Sequence, residues 1–161
     1  MFFDRAYLVS FIVGVQAVGR AIVTNQCDDT VYLWSVGSSI GAQNTIPKDT
    51  SYSEAFYHDP KSGGVALKIT NTEGGLFKPN VSQVILAYNL DADQVWYDMS
   101  NIFGNEFAGR TLTVTPTDSS CERIPWYSGL SPVGSHIKAC QAETDIELTL
   151  CTNHCLPSWC E

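Results

Sequence analysis

Residues 20–36 read RAIVTNQCDDTVYLWSV. The apolar side chains of Ala21 and Val23 alternate with polar neighbours, and the β-rich run 31–34 follows after Cys27 and an acidic turn. This pattern predicts a strand, a cysteine anchor and a second strand. Because two strands joined by so short a turn are marginally stable alone, the stretch also predicts a larger sheet around them.

Six further segments have strand character, and they are separated by polar loops rich in Gly and Ser. They are Ser51–Tyr57, Gly64–Thr70, Gln83–Leu90, Gln94–Ser100, Arg110–Thr115 and Asp145–Cys151. No segment of helical length shows a 3.6-residue apolar period. About eight short strands with turn chemistry between them are typical of an all-β, two-sheet antiparallel sandwich.

The first nineteen residues, Met1–Gly19, have the organisation of a secretory signal peptide. Arg5 is followed by an apolar run, and Ala17 and Gly19 are the small residues expected before a cleavage site. A buried first strand is the alternative. The apolar run is shorter than the roughly 20 residues of a membrane-spanning helix, so we expect a secreted, soluble protein.

The mature chain would then have about 142 residues, which suits one domain over residues 20–151 and a Cys-containing tail over residues 152–161. The formal net charge of the whole chain is −8. Because binding to nucleic acids and to anionic membranes needs a basic surface, we expect neither partner. We expect a monomer.

Six cysteines behind a signal peptide predict three disulfides, although six cysteines permit fifteen pairings. We predict the pairs Cys27–Cys151, Cys121–Cys140 and Cys155–Cys160, with Cys151–Cys160 as the alternative for the last. A zinc site at Cys151, Cys155, Cys160 and His154 is a weaker alternative, because oxidising compartments favour disulfides. We therefore expect no metal and no cofactor.

One N-glycosylation sequon, Asn80-Val81-Ser82, stands just before a predicted strand. The aromatic pair Trp126-Tyr127 lies between Pro125 and Gly129, in a loop-like context, and we expect it to be partly exposed. Exposed rings can stack on a sugar or pack against a protein, so both residues are ligand-binding candidates. No nucleophile elbow or phosphate-binding loop accompanies them.

Several motifs together resemble a known family. They are VYLWSVGS at 31–38, HDPKSGGVALKIT at 58–70, DQVWYDMSNIFGNEFAG at 93–109 and DIELTLC at 145–151. The combination is similar to the small fungal Bys1 (Blastomyces yeast-phase-specific) proteins, some of which are described as antigenic thaumatin-like proteins. The resemblance covers nearly the whole mature chain up to Cys151. It implies a thaumatin-like β-sandwich stapled by disulfides.

Larger thaumatin-like proteins carry an acidic cleft that in some members binds or slowly hydrolyses β-1,3-glucan. By this resemblance, Ala87 stands at the position of a cleft Glu, Val95 at that of an Asp, and Ile69, beside Lys68, at that of the Arg. Only Asp98 is retained. The resemblance therefore implies a binding surface more readily than a glucanase.

The residues themselves favour the same interpretation. Alternation places Trp96 and Asp98 on one face of their strand, where Ala87 and Asn89 can share that face on the strand before. Glycoside hydrolysis usually needs two facing carboxylates. Glu54 and Asp59 are candidates for the second acid, and Glu54 is also a ligand-binding candidate. The alternative role for Asp98 is structural, in a turn or an ion pair with Lys68 or Arg110.

From these observations we expect a secreted, non-catalytic, thaumatin-like protein of fungal origin. It would act at the cell wall or in a host, as a glycan-binding or effector-type antigen. Its partner would be cell-wall polysaccharide such as β-glucan, or a host protein. A weak β-1,3-glucanase and a structural cell-wall protein are the alternatives.

Overall fold

The structure is a computed structural model, and it describes residues 17–134 and 136–152. Most of the predicted signal peptide, nearly all of the predicted tail and the Cys155–Cys160 pair lie outside the described residues. The same holds for His154, Cys155 and Cys160 of the alternative zinc site, whereas its fourth member, Cys151, is described and is disulfide-bonded.

Strands dominate the described residues. In chain order they are β1 (Arg20–Asn25), β2 (Val31–Val36), β3 (Asn44–Ile46), β4 (Thr50–Ala55), β5 (Val65–Thr70), β6 (Gln83–Asp91), β7 (Gln94–Ile102), β8 (Leu112–Pro116), β9 (Ile124–Trp126), β10 (Lys138–Gln141) and β11 (Ile146–Leu150). A single 3-10 turn, Gly75–Phe77, precedes β6. All eight predicted strands are present, and β3, β9 and β10 are additional.

The strands form two sheets, which confirms the predicted all-β sandwich. The five-stranded sheet has the order β4-β1-β11-β8-β9, and the six-stranded sheet has the order β10-β7-β6-β5-β2-β3. One pairing differs from the antiparallel prediction, because β1 and β11 run parallel. The two ends of the domain are thus neighbours at the centre of the five-stranded sheet.

The opening stretch connects the sheets, because β1 belongs to one sheet and β2 to the other. Asn25 is fully buried at the crossing. Its side-chain nitrogen donates to the carbonyls of Asp29 at 2.8 Å and Ile46 at 2.9 Å, and its oxygen accepts from the Cys27 N–H at 3.0 Å. These three bonds satisfy backbone groups that would otherwise be buried without partners.

The core lies between the sheets and is filled by alternate residues of the long strands. On β6 and β7 the inward residues include Leu86, Tyr88, Tyr97 and Met99, all at most 3% exposed. The residues between them face outward, so these alternate residues of the two strands form a solvent-facing surface. That surface carries the candidate site.

Two disulfides hold the described part of the domain together, and both were predicted. Cys27–Cys151 joins the turn after β1 to the end of β11, and Cys121–Cys140 joins the segment before β9 to β10. Because Cys151 is bonded to Cys27, the alternative pair Cys151–Cys160 is wrong.

Candidate functional site

A shallow depression on the outer face of the six-stranded sheet is the candidate site. Its floor is made of small residues that face each other across neighbouring strands: Ala66 on β5 pairs with Ala87 on β6, and Ala87 pairs with Asp98 on β7. Gly64 extends the floor, and a Cβ at that position would come within 2.8 Å of the Tyr88 carbonyl oxygen. The small side chains leave room for a ligand above the sheet.

Larger residues border this floor. We call the whole depression the outer-face trough, and its volume is about 620 Å³. It is lined by Val36, Ser62, Gly64, Val65, Ala66, Ala87, Tyr88, Asn89, Trp96, Tyr97, Asp98 and Ile137. Trp96 is 43% exposed and Ile137 is 58% exposed, so both present apolar surface to solvent.

Trp96, Asp98, Ala87 and Asn89 come together as the alternation predicted. Asn89 is the direct partner of Trp96 across β6 and β7, and Ala87 is the partner of Asp98. The trough therefore combines an indole ring, a carboxylate and a side-chain amide within two neighbouring cross-strand pairs.

The carboxylate of the trough keeps binding capacity. Asp98 accepts one bond, from the Met99 N–H at 2.8 Å, and forms no ion pair with Lys68 or Arg110. The side-chain oxygen of Asn89 is buried and has no hydrogen-bond partner among the described residues, so it is not open to a ligand in this structure. Because an ionised carboxylate can accept several hydrogen bonds, Asp98 has unused acceptor positions.

Asp59 positions the loop that forms one wall of the trough. Its carboxylate accepts the N–H groups of Ser38, Lys61 and Ser62 at 2.8–2.9 Å, and also the Ser38 hydroxyl at 2.8 Å. These donors hold the pKa of Asp59 well below its usual range. Asp59 is thus a positioning residue for Ser62, which lines the trough.

The sequence contained a signal for this loop that the sequence analysis did not use. Asp59 is followed by Pro60, Lys61, Ser62 and Gly63, which is the composition of a turn closed by an aspartate side chain. Asp59 was a candidate for the second acid, but its carboxylate is buried in the loop and does not line the trough.

Glu54 also lies away from the trough. Its Oε1 accepts the hydroxyls of Tyr88 at 2.6 Å and Ser35 at 3.1 Å, and its Oε2 accepts the Tyr52 hydroxyl at 2.7 Å. Burial and the bond to Glu54 raise the pKa of Tyr88 and Tyr52 far above the ordinary tyrosine value. We call this group the Glu54 clasp, because it ties β4 of one sheet to β2 and β6 of the other.

The predicted aromatic pair is split. The expectation that Trp126 is partly exposed is wrong: its side chain is fully buried, at 0% exposure, on β9 opposite Leu112. Tyr127 is 59% exposed, but it is not among the residues that line the trough. Trp126 is therefore a core residue, and Tyr127 belongs to a different surface.

At two positions that the resemblance assigned to a cleft, the side chain points into the core instead. Val95 and Ile69 are both fully buried between the sheets. Lys68, the neighbour of Ile69, stands on the outer face. Of the described residues that line the trough, Asp98 is the only carboxylate.

The described residues contain one grouping of metal-ligand type, Asp118 with Cys121 and Cys140. The two cysteines are bonded to each other. Since metal ligation by cysteine uses the free thiolate, this grouping does not fit a metal ion.

The fold and the trough can be compared with known proteins. The sequence model of the Blastomyces yeast-phase-specific protein, Bys1, matches residues 8–152. The chain belongs to the Bys1 family. The chain is 33% identical over 145 residues to an antigenic thaumatin-like protein of Arthroderma benhamiae. This alignment covers 83% of the chain and 71% of the relative. The chain is also 28% identical over 146 residues to the secreted thaumatin-like protein calA of Emericella nidulans, with 83% and 82% coverage.

Solved structures give the same fold. The crystal structure of the protein elicitor MoHrip2 from Magnaporthe oryzae superposes with a TM-score of 0.68 at 26% identity, covering 83% of this Bys1-family chain and 99% of MoHrip2. The thaumatin-like xylanase inhibitor TLXI superposes with a TM-score of 0.57 at 14% identity, covering 82% and 99%. The architecture is therefore thaumatin-like.

The relatives also indicate where the Bys1-family chain acts. It is a secreted protein of a fungal family, in agreement with the predicted signal peptide. Within residues 17–134 and 136–152, no helix has the length and apolar character to cross a membrane.

Proposed function

We propose that this protein binds a polysaccharide in the outer-face trough and does not cleave it. The observation that carries the proposal is the cross-strand arrangement of the half-exposed Trp96 and the Asp98 carboxylate beside a floor of Ala66 and Ala87. An aromatic ring offers a flat apolar surface to the C–H face of a sugar, while a carboxylate accepts its hydroxyl protons.

The shape of the trough suits a chain more than a small molecule. Pockets for small ligands usually enclose most of the ligand surface. The outer-face trough instead lies across β5, β6 and β7 on an exposed sheet face. A polymer crossing such a surface would contact Trp96 with one sugar and continue into solvent at both ends.

The acid content of the trough supports binding over hydrolysis. Most glycosidases place two carboxyl groups about 5–9.5 Å apart, one as acid and one as nucleophile or base. The described lining contributes Asp98 alone, and Glu54 and Asp59 are committed to hydrogen bonds elsewhere. A weak β-1,3-glucanase is therefore the less favoured proposal.

A second role, recognition in an infected host, is favoured by one comparison. MoHrip2 is titled a protein elicitor, and it matches this chain over 99% of its own length. We propose an effector-type activity as the second candidate. It is compatible with wall binding, because a wall-bound secreted protein can also be exposed to a host.

The test is retention of the oxidised, secreted protein on insoluble β-1,3-glucan, chitin and mannan, with released sugar measured in the same supernatants. We expect retention on at least one polymer without sugar release. Trp96→Ala and Asp98→Asn should reduce that retention at least tenfold. Tyr127→Ala is the matched control, because it removes an exposed aromatic ring outside the trough.

Each other outcome contradicts part of the proposal. Sugar release that Asp98→Asn abolishes would establish the enzyme. Equal retention of wild type and Trp96→Ala would exclude the trough as the binding surface. No retention on any polymer would favour a protein partner in the host or a purely structural role in the wall.

A further inference from the structure

The connection between the 3-10 turn and β6 carries the one N-x-S/T sequon of the sequence, Asn80-Val81-Ser82. Lys78, Pro79 and Asn80 are all exposed. The side chain of Val81 turns toward Gly75, where its Cγ1 lies 3.0 Å from the position of a Cβ. The acceptor side chain at position 80 is therefore on the solvent side of this connection.

The backbone alone explains part of this sequence. Asn80 has φ 59°, in the left-handed region that asparagine tolerates better than most residues. This conformation accounts for an asparagine at position 80. The Ser82 hydroxyl donates to the Phe103 carbonyl at 3.0 Å, which accounts for a hydroxyl residue at position 82. Neither feature gives a reason for the exposed aromatic residue that comes before.

Phe77 is the second, independent observation. Its ring stands three residues before Asn80 and is 69% exposed, the largest exposure of any aromatic side chain in the described residues. An edge-to-face contact with the buried Trp34, with centroids 6.3 Å apart and planes at 86°, holds the ring in place. An exposed apolar ring three residues before a glycosylation acceptor is a surface on which a sugar can pack.

We propose that Asn80 carries an N-linked glycan whose first N-acetylglucosamine packs against Phe77. The side-chain nitrogen of Asn80 attacks C1 of the reducing-end sugar of a lipid-linked oligosaccharide. The N–C1 bond forms, the bond from C1 to the pyrophosphate oxygen breaks, the lipid pyrophosphate leaves with the electron pair, and the amide nitrogen loses one proton. The lipid-linked oligosaccharide is the donor, and the oligosaccharyltransferase of the secreting cell catalyses the transfer.

The sequon and the Asn89 end of the outer-face trough lie at opposite ends of β6. Asn80 precedes the first residue of β6, whereas Asn89 lies near its end. Six residue steps from Gln83 to Asn89 span about 20 Å of extended chain. Glycosylation is measured without any polysaccharide, so this proposal and the proposed function can fail separately.

The experiment is intact-mass measurement of the full chain secreted from a fungal host, before and after endoglycosidase treatment. We expect a glycan-sized mass loss on treatment of the wild type, and no glycan on Asn80→Gly, which keeps the left-handed backbone accessible. Ser82→Ala, which removes the sequon hydroxyl together with its bond to the Phe103 carbonyl, should also be secreted without the glycan.

The contact with Phe77 has its own readout. Complete enzymatic removal of the glycan should lower the unfolding midpoint of the wild type. In Phe77→Ala, which is still glycosylated, the same treatment should lower the midpoint by less than half as much. A wild-type chain secreted without glycan, or a glycan retained in Asn80→Gly, would overturn the site. Equal midpoint shifts in wild type and Phe77→Ala would overturn the contact.

Discussion

Replacement of Glu54 by leucine should destabilise the fold without altering the trough. The Glu54 clasp contains two short hydrogen bonds from tyrosine hydroxyls, at 2.6 and 2.7 Å, and a longer one from Ser35 at 3.1 Å. A hydrogen bond to a charged group contributes about 1.5–3 kcal/mol. Loss of the two short bonds should therefore cost about 3–6 kcal/mol.

The burial of Tyr88 is the reason that the cost is high. Its side chain is 3% exposed, so its hydroxyl cannot find water when the carboxylate is removed. Glu54→Gln is the matched control, because the amide keeps the shape and one acceptor oxygen. We expect it to be less destabilising than Glu54→Leu.

The assay is urea-induced unfolding of wild type, Glu54→Leu, Tyr88→Phe and the double variant. Because the two single changes remove the same bond, their effects should not add, and the coupling free energy should be about 1.5–3 kcal/mol. An unchanged free energy of unfolding in Glu54→Leu, together with loss of polysaccharide retention, would refute the structural role. Glu54 would then be a ligand-binding residue.

Three further predictions concern the rest of the domain. The Cys27–Cys151 bridge spans 124 residues and the Cys121–Cys140 bridge spans 19. By the loop-entropy relation, replacing both cysteines by alanine should lower the free energy of unfolding in urea by about 4.9 kcal/mol for the first bridge and about 3.2 kcal/mol for the second. Equal losses for the two bridges would contradict this relation. Burial, and then the charge of Glu122, raise the pKa of Tyr97 to about 12. Its contribution to stability is complete below pH 10 and is lost as the pH rises from 10 to 12, by at most roughly 3 kcal/mol, so Tyr97→Phe should flatten an alkaline unfolding curve. Asp59→Asn should speed hydrogen exchange at the Ser38, Lys61 and Ser62 amides and weaken polymer retention, and unchanged exchange would show that another group holds this loop.

Local patterns were enough to predict the strands that build the trough. On β5, β6 and β7 the period-two alternation is long, so the outward placement of Trp96, Asp98, Ala87 and Asn89 followed from the sequence. The strands β3, β9 and β10 were missed because three or four residues are too few to show a period. Pro125, inside β9, also argued for a loop, although an edge strand tolerates proline.

Contacts between distant segments were the part that the sequence could not predict. Trp126 looked like a loop residue because its neighbours are Pro125 and Gly129, yet the sandwich buries it. Glu54 looked like a free acid because Tyr88, its partner on the other sheet, is 34 residues away. The parallel pairing of β1 with β11 depends on a choice of partner across the whole domain, which alternation does not encode.

The central claim is that the outer-face trough binds carbohydrate. The most direct test is a backbone and indole NMR titration of the secreted protein with a soluble β-1,3-glucan oligosaccharide, and then with a chitin oligosaccharide. We expect at least one of the sugars to cause saturable chemical-shift changes at the Trp96 indole and at the amides of Gly64, Ala87, Asn89 and Asp98. Shift changes at Tyr127 or on the five-stranded sheet instead, or none with either sugar, would contradict it.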